Sequence, residues 1–260
     1  MSNAMLQAND LSFSYGKREA IQRVSLSLHS REVLGLIGPN GSGKTTLLKL
    51  LAGILPSPSC PVLYGKRALN SFSRRELSRH ITFVSQEMSL SFPFTVREVV
   101  ALGRTPYLGR FAPETAQDKI AIETALQETD LSELAERPLA TLSGGEQKRA
   151  FLARAFAQQA NIVLLDEPTS NLDLHYQLQI MKLITQMQTE GRSIIVALHD
   201  LTLAARFCSR LILLTSGQLI ADGSPEEVLT EANLSKYFQV TAQVQRFGDH
   251  LQIVPFSFLF

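Results

Sequence analysis

The run Gly38-Pro39-Asn40-Gly41-Ser42-Gly43-Lys44-Thr45-Thr46 carries glycines, a lysine and a hydroxyl at the spacing G-x-x-x-x-G-K-T. Such a run can grip a polyphosphate. Glycines let several backbone N–H groups converge on the anion, and the helix that follows aims its partly positive N-terminus at it. Lys44 then pairs with the β- and γ-phosphates and Thr45 offers its hydroxyl to Mg²⁺. Downstream, Asp166-Glu167 closes the apolar run Ile162 to Leu165. Asp166 can hold Mg²⁺, through water, while Glu167 is placed to polarise the water that attacks the γ-phosphate. Gln86 and His199 each follow an apolar run; Gln86 can bridge metal and water, and His199 can donate a hydrogen bond to a γ-phosphate oxygen. Tyr15 leaves two readings open, core filler or a stacking platform for adenine. Ser143-Gly144-Gly145, at the head of a helical pattern, makes a second anion site from a hydroxyl, free N–H groups and a helix dipole. One nucleotide loop thus accompanies two phosphate grips. A second copy arranged head to tail would set each grip across from the other's loop and complete two sites.

The elements that must position these groups follow from periodicity. Met5 to Leu28 alternates as two strands joined at Tyr15-Gly16-Lys17, an antiparallel pair. Val33 to Ile37 is a strand into the phosphate loop, and Leu47 to Leu51 a helix out of it. The proline-dense loop Pro56 to Pro61 can be neither helix nor central strand. A short strand at Val62 to Gly65, a helix capped by Ser73 with Glu76 in box spacing, and a strand at Ile81 to Val84 come next. From about Glu87 to Ala157 the pattern is helical. One helix starts at Thr95; a second opens at Pro113-Glu114 with Ile120, Ala121, Ala125 and Leu126 on one face; a short third spans Leu131 to Ala135; a fourth starts at Ser143. Strand and helix then alternate: strands at Ile162, Ser193, Leu211 and Gln218, helices at Leu174 and Asp200, and a helix capped by Ser224 with Pro225 in its first turn. The tail from Val240 breaks at Gly248-Asp249 as a small hairpin.

Composition narrows the class. A net charge of +1 without basic runs argues against a nucleic-acid partner. No apolar run reaches the roughly 20 residues that span a bilayer, and no signal sequence is visible. Ser2-Asn3-Ala4 after Met1 reads as an expression-tag remnant, residues 1–4, with Met5 the natural start. Cys60 and Cys208 have no metal or redox spacing and read as small buried hydrophobes; His29, His80, His175 and His250 form no ligand pattern.

Taken in order, these motifs resemble those of the nucleotide-binding subunit of an ATP-binding cassette (ABC) transporter, from about Leu6 to Leu229. The resemblance implies that Tyr15 stacks on adenine, Gly38 to Thr46 is the Walker A loop and Gln86 the Q-loop residue. It makes Leu142 to Glu146 the signature, Ile162 to Asp166 the Walker B strand, Glu167 the catalytic carboxylate, Ser170 to Asp173 the D-loop crossing a dimer interface, and His199 the switch histidine. The implied fold is α/β: a P-loop NTPase with a RecA-like parallel-sheet core, an N-terminal antiparallel β subdomain and an inserted α-helical subdomain at about 88–157. A single domain, 5–260, ends in a small hairpin at about 240–260. The implied ligands are ATP and Mg²⁺. The implied partners are a second copy head to tail, transmembrane permease subunits and, indirectly, a periplasmic or surface solute-binding protein, with the chain peripheral on the cytoplasmic face of the membrane. Phe92 to Pro106, Leu172-Asp173-Leu174 and Leu198 to Arg206 are similar to segments of importers of ferric siderophores, haem and cobalamin; molybdate and zinc or manganese importers have related ATPases. Non-transport ABC ATPases carry coiled-coil insertions or tandem cassettes, which this chain lacks. The signature and His199 argue against a P-loop kinase. Three positions depart from the pattern. Lys148 stands where Gln is usual, which is expected to alter only interface contacts; Asn171 replaces Ala or His; and the Pro56 to Pro61 loop is short and lacks its glycine.

Overall fold

The computed structural model describes residues 4–57, 60–86, 92–109, 112–248 and 250–258. Residues 1–3 of the expected remnant, Pro58 and Ser59, the expected opening of the helical insertion at 88–91, and Asp249 lie outside these residues.

Strands β1 (Leu6–Tyr15) and β2 (Arg18–Leu28) pair antiparallel from Leu6↔Leu28 to Tyr15↔Arg18. Next, β3 (Val33–Ile37), buried throughout, leads through the phosphate loop to α1 (Lys44–Leu51). The two-residue strands β4 (Leu63–Tyr64) and β5 (Arg67–Ala68) complete a four-stranded sheet, β2-β1-β4-β5. In α2 (Arg74–Leu77) the Ser73 hydroxyl accepts from the Glu76 N–H, but the return half of the expected box is not made. The Glu76 carboxylate pairs instead with Arg67, 3.1 Å away. After β6 (Ile81–Val84) come α3 (Val96–Ala101), α4 (Ala116–Glu128) and α5 (Gly144–Gln158). Each of these three opens on a reciprocal capping box: Thr95 with Glu98, Thr115 with Asp118, Ser143 with Glu146. Alternation resumes with β7 (Ile162–Asp166), α6 (Leu174–Thr189), β8 (Ser193–Ala197), α7 (Leu201–Phe207), β9 (Arg210–Thr215) and β10 (Gln218–Gly223). Helices α8 (Pro225–Val228) and α9 (Glu231–Phe238) precede the hairpin of β11 (Val240–Phe247) and β12 (His250–Phe258).

The main sheet runs β10-β9-β3-β8-β7-β6, parallel except at β9/β10. Its strands are apolar on both faces because each face has its own core. Val163, Leu165, Ile194 and Val196 pack towards α3 to α6, while Ile162, Leu164, Ile195 and Ala197 pack towards α1 and the antiparallel sheet. Sandwiching the sheet this way leaves only its strand ends for chemistry.

Several expectations change. The second insertion helix opens on Thr115, not on Pro113-Glu114, and Ile120 is 66 % exposed. The buried stripe is Asp118, Ala121, Ile122, Ala125 and Leu126, a three-and-four spacing that Ile120 does not share. Asp118 lies on the buried stripe because its carboxylate accepts from the Arg104 Nε at 2.8 Å, inside the protein. Arg104 also donates to the Ala157 carbonyl and lies over the Tyr107 ring. Leu131 to Ala135 holds only a 3-10 turn, Ser132–Leu134. Helix α9, capped by Thr230, was not separated in the sequence. Burial pushes the Cys208 thiol up to about 12, whereas Cys60 is only half-buried.

Candidate ATP-hydrolysing site

Adjacent strands β3, β8, β7 and β6 are parallel, so the segments leaving their C-terminal ends meet at one edge of the sheet. The phosphate loop leaves β3, His199 follows β8, Asp166 and Glu167 end β7, and Gln86 follows β6. A cavity of about 860 Å³ opens there, lined by Tyr15, Asn40, Gly41, Ser42, Gly43, Lys44, Thr45, Thr46, Gln86, Glu167 and His199. Gly38 and Pro39 form the base of the loop, where their carbonyls accept from the Lys44 Nζ at 2.9 and 3.2 Å.

The loop is pressed against its neighbours. Gly38 has φ 149°, and a Cβ there would stand 2.0 Å from the Leu214 carbonyl oxygen of β9. Gly43, in the left-handed region at φ 107°, would bring a Cβ within 2.7 Å of the Ala20 carbonyl. Burial pulls the Lys44 amine below its ordinary pKa, against the opposing fields of Glu167 and Asp166.

Asp166 is 2 % exposed, and among the described residues its Oδ1 has no hydrogen-bond partner. Burial pushes its carboxyl up, while a hydrogen bond from Thr45 pulls it down. Ser42 Oγ is likewise buried and unpartnered. Buried polar atoms of this kind imply a ligand that satisfies them. Among the described residues no group of three or more His, Cys, Asp or Glu could cage a metal. The Thr45 hydroxyl, the Asp166 carboxylate and the Gln86 amide oxygen are few and hard donors, which fits an ion such as Mg²⁺ that draws its other ligands from phosphate and water.

Glu167 is 7 % exposed and holds a left-handed backbone, φ 50°, uncommon for a residue with a side chain. Its N–H donates to the Ala197 carbonyl at 3.2 Å, and its Oε1 lies 2.5 Å from the His199 Nε2. The Glu167 carboxylate and the His199 ring are therefore in direct contact. Tyr15, half exposed at the mouth, meets Phe13 edge to face at 4.9 Å, which leaves a ring face for stacking.

Asp166, Gly38 and Pro39 do not line the cavity themselves but adjoin residues that do, whereas Ser143, Gly144, Gly145 and Asp173 belong to other segments and are not brought into it. The Ser143 hydroxyl donates to Glu146 Oε2 at 2.7 Å, and the Asp173 carboxylate caps α6 by accepting from the Tyr176 N–H at 3.0 Å. Other residues were missed. Arg18 and Gln22 of β2 and the turn Ser216-Gly217 line the cavity beside Tyr15. Gly217 reaches it because its N–H donates to the Ser42 carbonyl at 2.8 Å, a contact across more than half the chain that no local pattern signals. Lys148 also departs from expectation. It reaches into its own protomer and donates to the carbonyl and hydroxyl of Ser170.

Fold and cavity together define a P-loop nucleoside triphosphatase. The chain belongs to the ABC transporter family, whose model matches residues 21–170, and is its ATP-binding, ATP-hydrolysing component. It is 37 % identical over 255 residues, 95 % of this chain and 92 % of the relative, to the hemin import ATP-binding protein HmuV of Rhodopseudomonas palustris. It is 36 % identical over 240 residues, 92 % of this chain and 89 % of the relative, to the iron(3+)-hydroxamate import ATP-binding protein FhuC of Bacillus subtilis. A solved structure of a transporter assigned to the metal-chelate type, in an inward-facing conformation, superposes with a TM-score of 0.85 at 28 % identity and covers 98 % of each chain. Among the described residues, no helix is long and apolar enough to cross a membrane.

Proposed function

We propose that this chain energises an importer of ferric siderophore, haem or cobalamin. Two copies work head to tail, docked on transmembrane permease subunits at the cytoplasmic face of the membrane, with a solute-binding protein feeding the permease. The observation that carries the paired arrangement is the separation of the two phosphate grips. Gly38 to Thr46 line or underlie the cavity, whereas Ser143 to Gly145 lie outside it. A Cβ on Gly145 would strike the Tyr176 ring at 2.6 Å, so that glycine serves the chain's own packing. A Cβ added at Gly144 would meet nothing of the described residues beyond its own helix turn within 4 Å, which supports room for another molecule's phosphates.

Within each site Lys44 and the loop N–H groups bind the β- and γ-phosphates, and Tyr15 stacks on the base. Thr45, Asp166 and Gln86 would hold Mg²⁺, which supplies charge neutralisation at the transferring phosphoryl group. Glu167 accepts the proton of the attacking water. His199 orients that carboxylate, and its Nε2–H can serve either Glu167 or a γ-phosphate oxygen. Ser143, Gly144 and Gly145 of the partner copy close over the γ-phosphate, and Asp173 lies in the segment that crosses between copies. Closing on ATP and opening after hydrolysis drives the permease.

The hemin and iron-hydroxamate relatives support the solute class. Deleting the chain's gene should abolish growth on hemin, ferric hydroxamate or cobalamin supplied as the limiting nutrient. Unimpaired growth on all three would remove the solute assignment. For the paired site, E167Q with ATP should elute as a dimer in gel filtration; a monomer under saturating ATP would count against it.

A further inference from the structure

We infer that Lys148 is a positioning residue for hydrolysis, fastening helix α5 to the turn that carries Glu167 within one protomer. The inference rests on the reading of Glu167 as the catalytic carboxylate. Lys148 sits one helical turn after Gly144, so it shares a rigid element with the grip offered to the neighbouring copy. Its ammonium donates to the Ser170 carbonyl and, at 3.0 Å, to Ser170 Oγ. Ser170 in turn closes on Glu167. Its hydroxyl donates to the Glu167 carbonyl at 3.0 Å and its N–H to the same oxygen at 3.2 Å.

This turn needs fastening. Glu167 and Asn171, at φ 50° and 57°, both hold left-handed backbones that side chains disfavour, and such geometry persists only where surrounding contacts over-determine it. Contacts from β8, through the Ala197 carbonyl and on to His199, hold one side of the turn; Lys148 holds the other. Lys148, Gln86 and Glu167 also share a small cavity, which places the ammonium within electrostatic reach of the carboxylate. A glutamine there could donate to a carbonyl, but only a cation makes the stronger charge-assisted bond while placing positive charge near Glu167. Movement of α5 as its N-terminus engages a neighbour's nucleotide is thereby transmitted to the protomer's own base.

The test is steady-state ATPase kinetics of the full chain. K148M keeps the apolar stem and loses the donors; kcat should fall about tenfold, with KM for ATP within about twofold and Tm within about 2 °C of the native protein. K148R should recover at least half of the native kcat. Native kcat in K148M, a loss matched by a rise in KM or a larger drop in Tm, or no recovery in K148R would each overturn the inference. Should K148M not fold, K148Q carries the same test, since it keeps a donor and loses the charge: a several-fold lower kcat at unchanged KM supports the tie, and native kcat overturns it. If E167Q itself turned over like the native protein, the fault would lie with the assignment of the base and not with Lys148.

Discussion

The N-termini of α1 and α5, the two that we propose receive phosphate, differ in what holds them. The phosphate loop before α1 is wedged into the fold: Gly38 and Gly43 touch backbone of β9 and of the segment at Ala20, Lys44 is tied to the loop's own carbonyls, and Asp166 and Ser42 present buried unpartnered oxygens. The end of α5 is a surface feature. Its hydroxyl is satisfied by its own Glu146, a Cβ added at its first glycine would meet none of the described residues beyond its own helix turn within 4 Å, and it is braced from behind, through Tyr176 under Gly145, Lys148 on Ser170 and the buried Arg104–Asp118 pair beneath the helices. The cavity at the sheet edge is lined from several elements of the fold, and the end of α5 contributes none of that lining.

This contrast can be broken or sharpened by mutation. The largest effect is expected at Glu167→Gln, which removes the proposed general base and should lower single-turnover hydrolysis by about 10²- to 10⁴-fold while ATP binding persists. Near-native turnover would strip Glu167 of its role. Asp118→Asn breaks the buried pair supporting the α5 side and should cost about 3 kcal/mol in urea unfolding. Bonds from Thr115, then Arg104, hold the Asp118 carboxyl at about 2, below its ordinary 3.8. Since the folded value is the lower one, this stabilisation is complete above about pH 4 and is lost as pH falls towards 2. The stability slope across that window should be shallower in Asp118→Asn; an unchanged slope would show that the carboxylate is not the titrating partner. Lys44→Ala should weaken ATP binding at least tenfold by titration, about 1.4 kcal/mol, because the loop loses its cation but keeps its N–H groups. The glycine pair gives the smallest and most discriminating effects. Gly145→Ala should destabilise the monomer by about 1–3 kcal/mol through overlap with Tyr176. Gly144→Ala should change monomer stability by less than about 0.5 kcal/mol yet reduce ATP-dependent dimerisation. If Gly144→Ala dimerised normally, the open surface there would not be where the second copy's nucleotide lands.

Much of this was legible because the signals are local. Glycine spacing, cap residues and the apolar runs before Gly38, Asp166 and His199 identify strand, loop and helix from a few neighbours. Ile120 misled because one apolar residue off the stripe cannot be distinguished from one on it until the buried face is known, and that face includes a charged residue, Asp118, whose partner Arg104 lies outside the helix. Lys148 was read as an interface residue since its motif is; its partner, Ser170, lies in a turn that belongs to a different element.

The sequence by itself determined which groups are available for chemistry: the glycine-rich loop with Lys44 and Thr45, the Asp166-Glu167 pair, His199, and the Ser143-Gly144-Gly145 cap. Its short-range order encodes them through residue type and backbone preference. Only the tertiary structure decided which of them meet. The strand order β9-β3-β8-β7-β6 is selected by burying both faces of the sheet at once, a global balance of apolar area that no single strand records. That order brings Lys44, Gln86, Glu167 and His199 to one cavity and leaves Ser143 to Gly145 outside it.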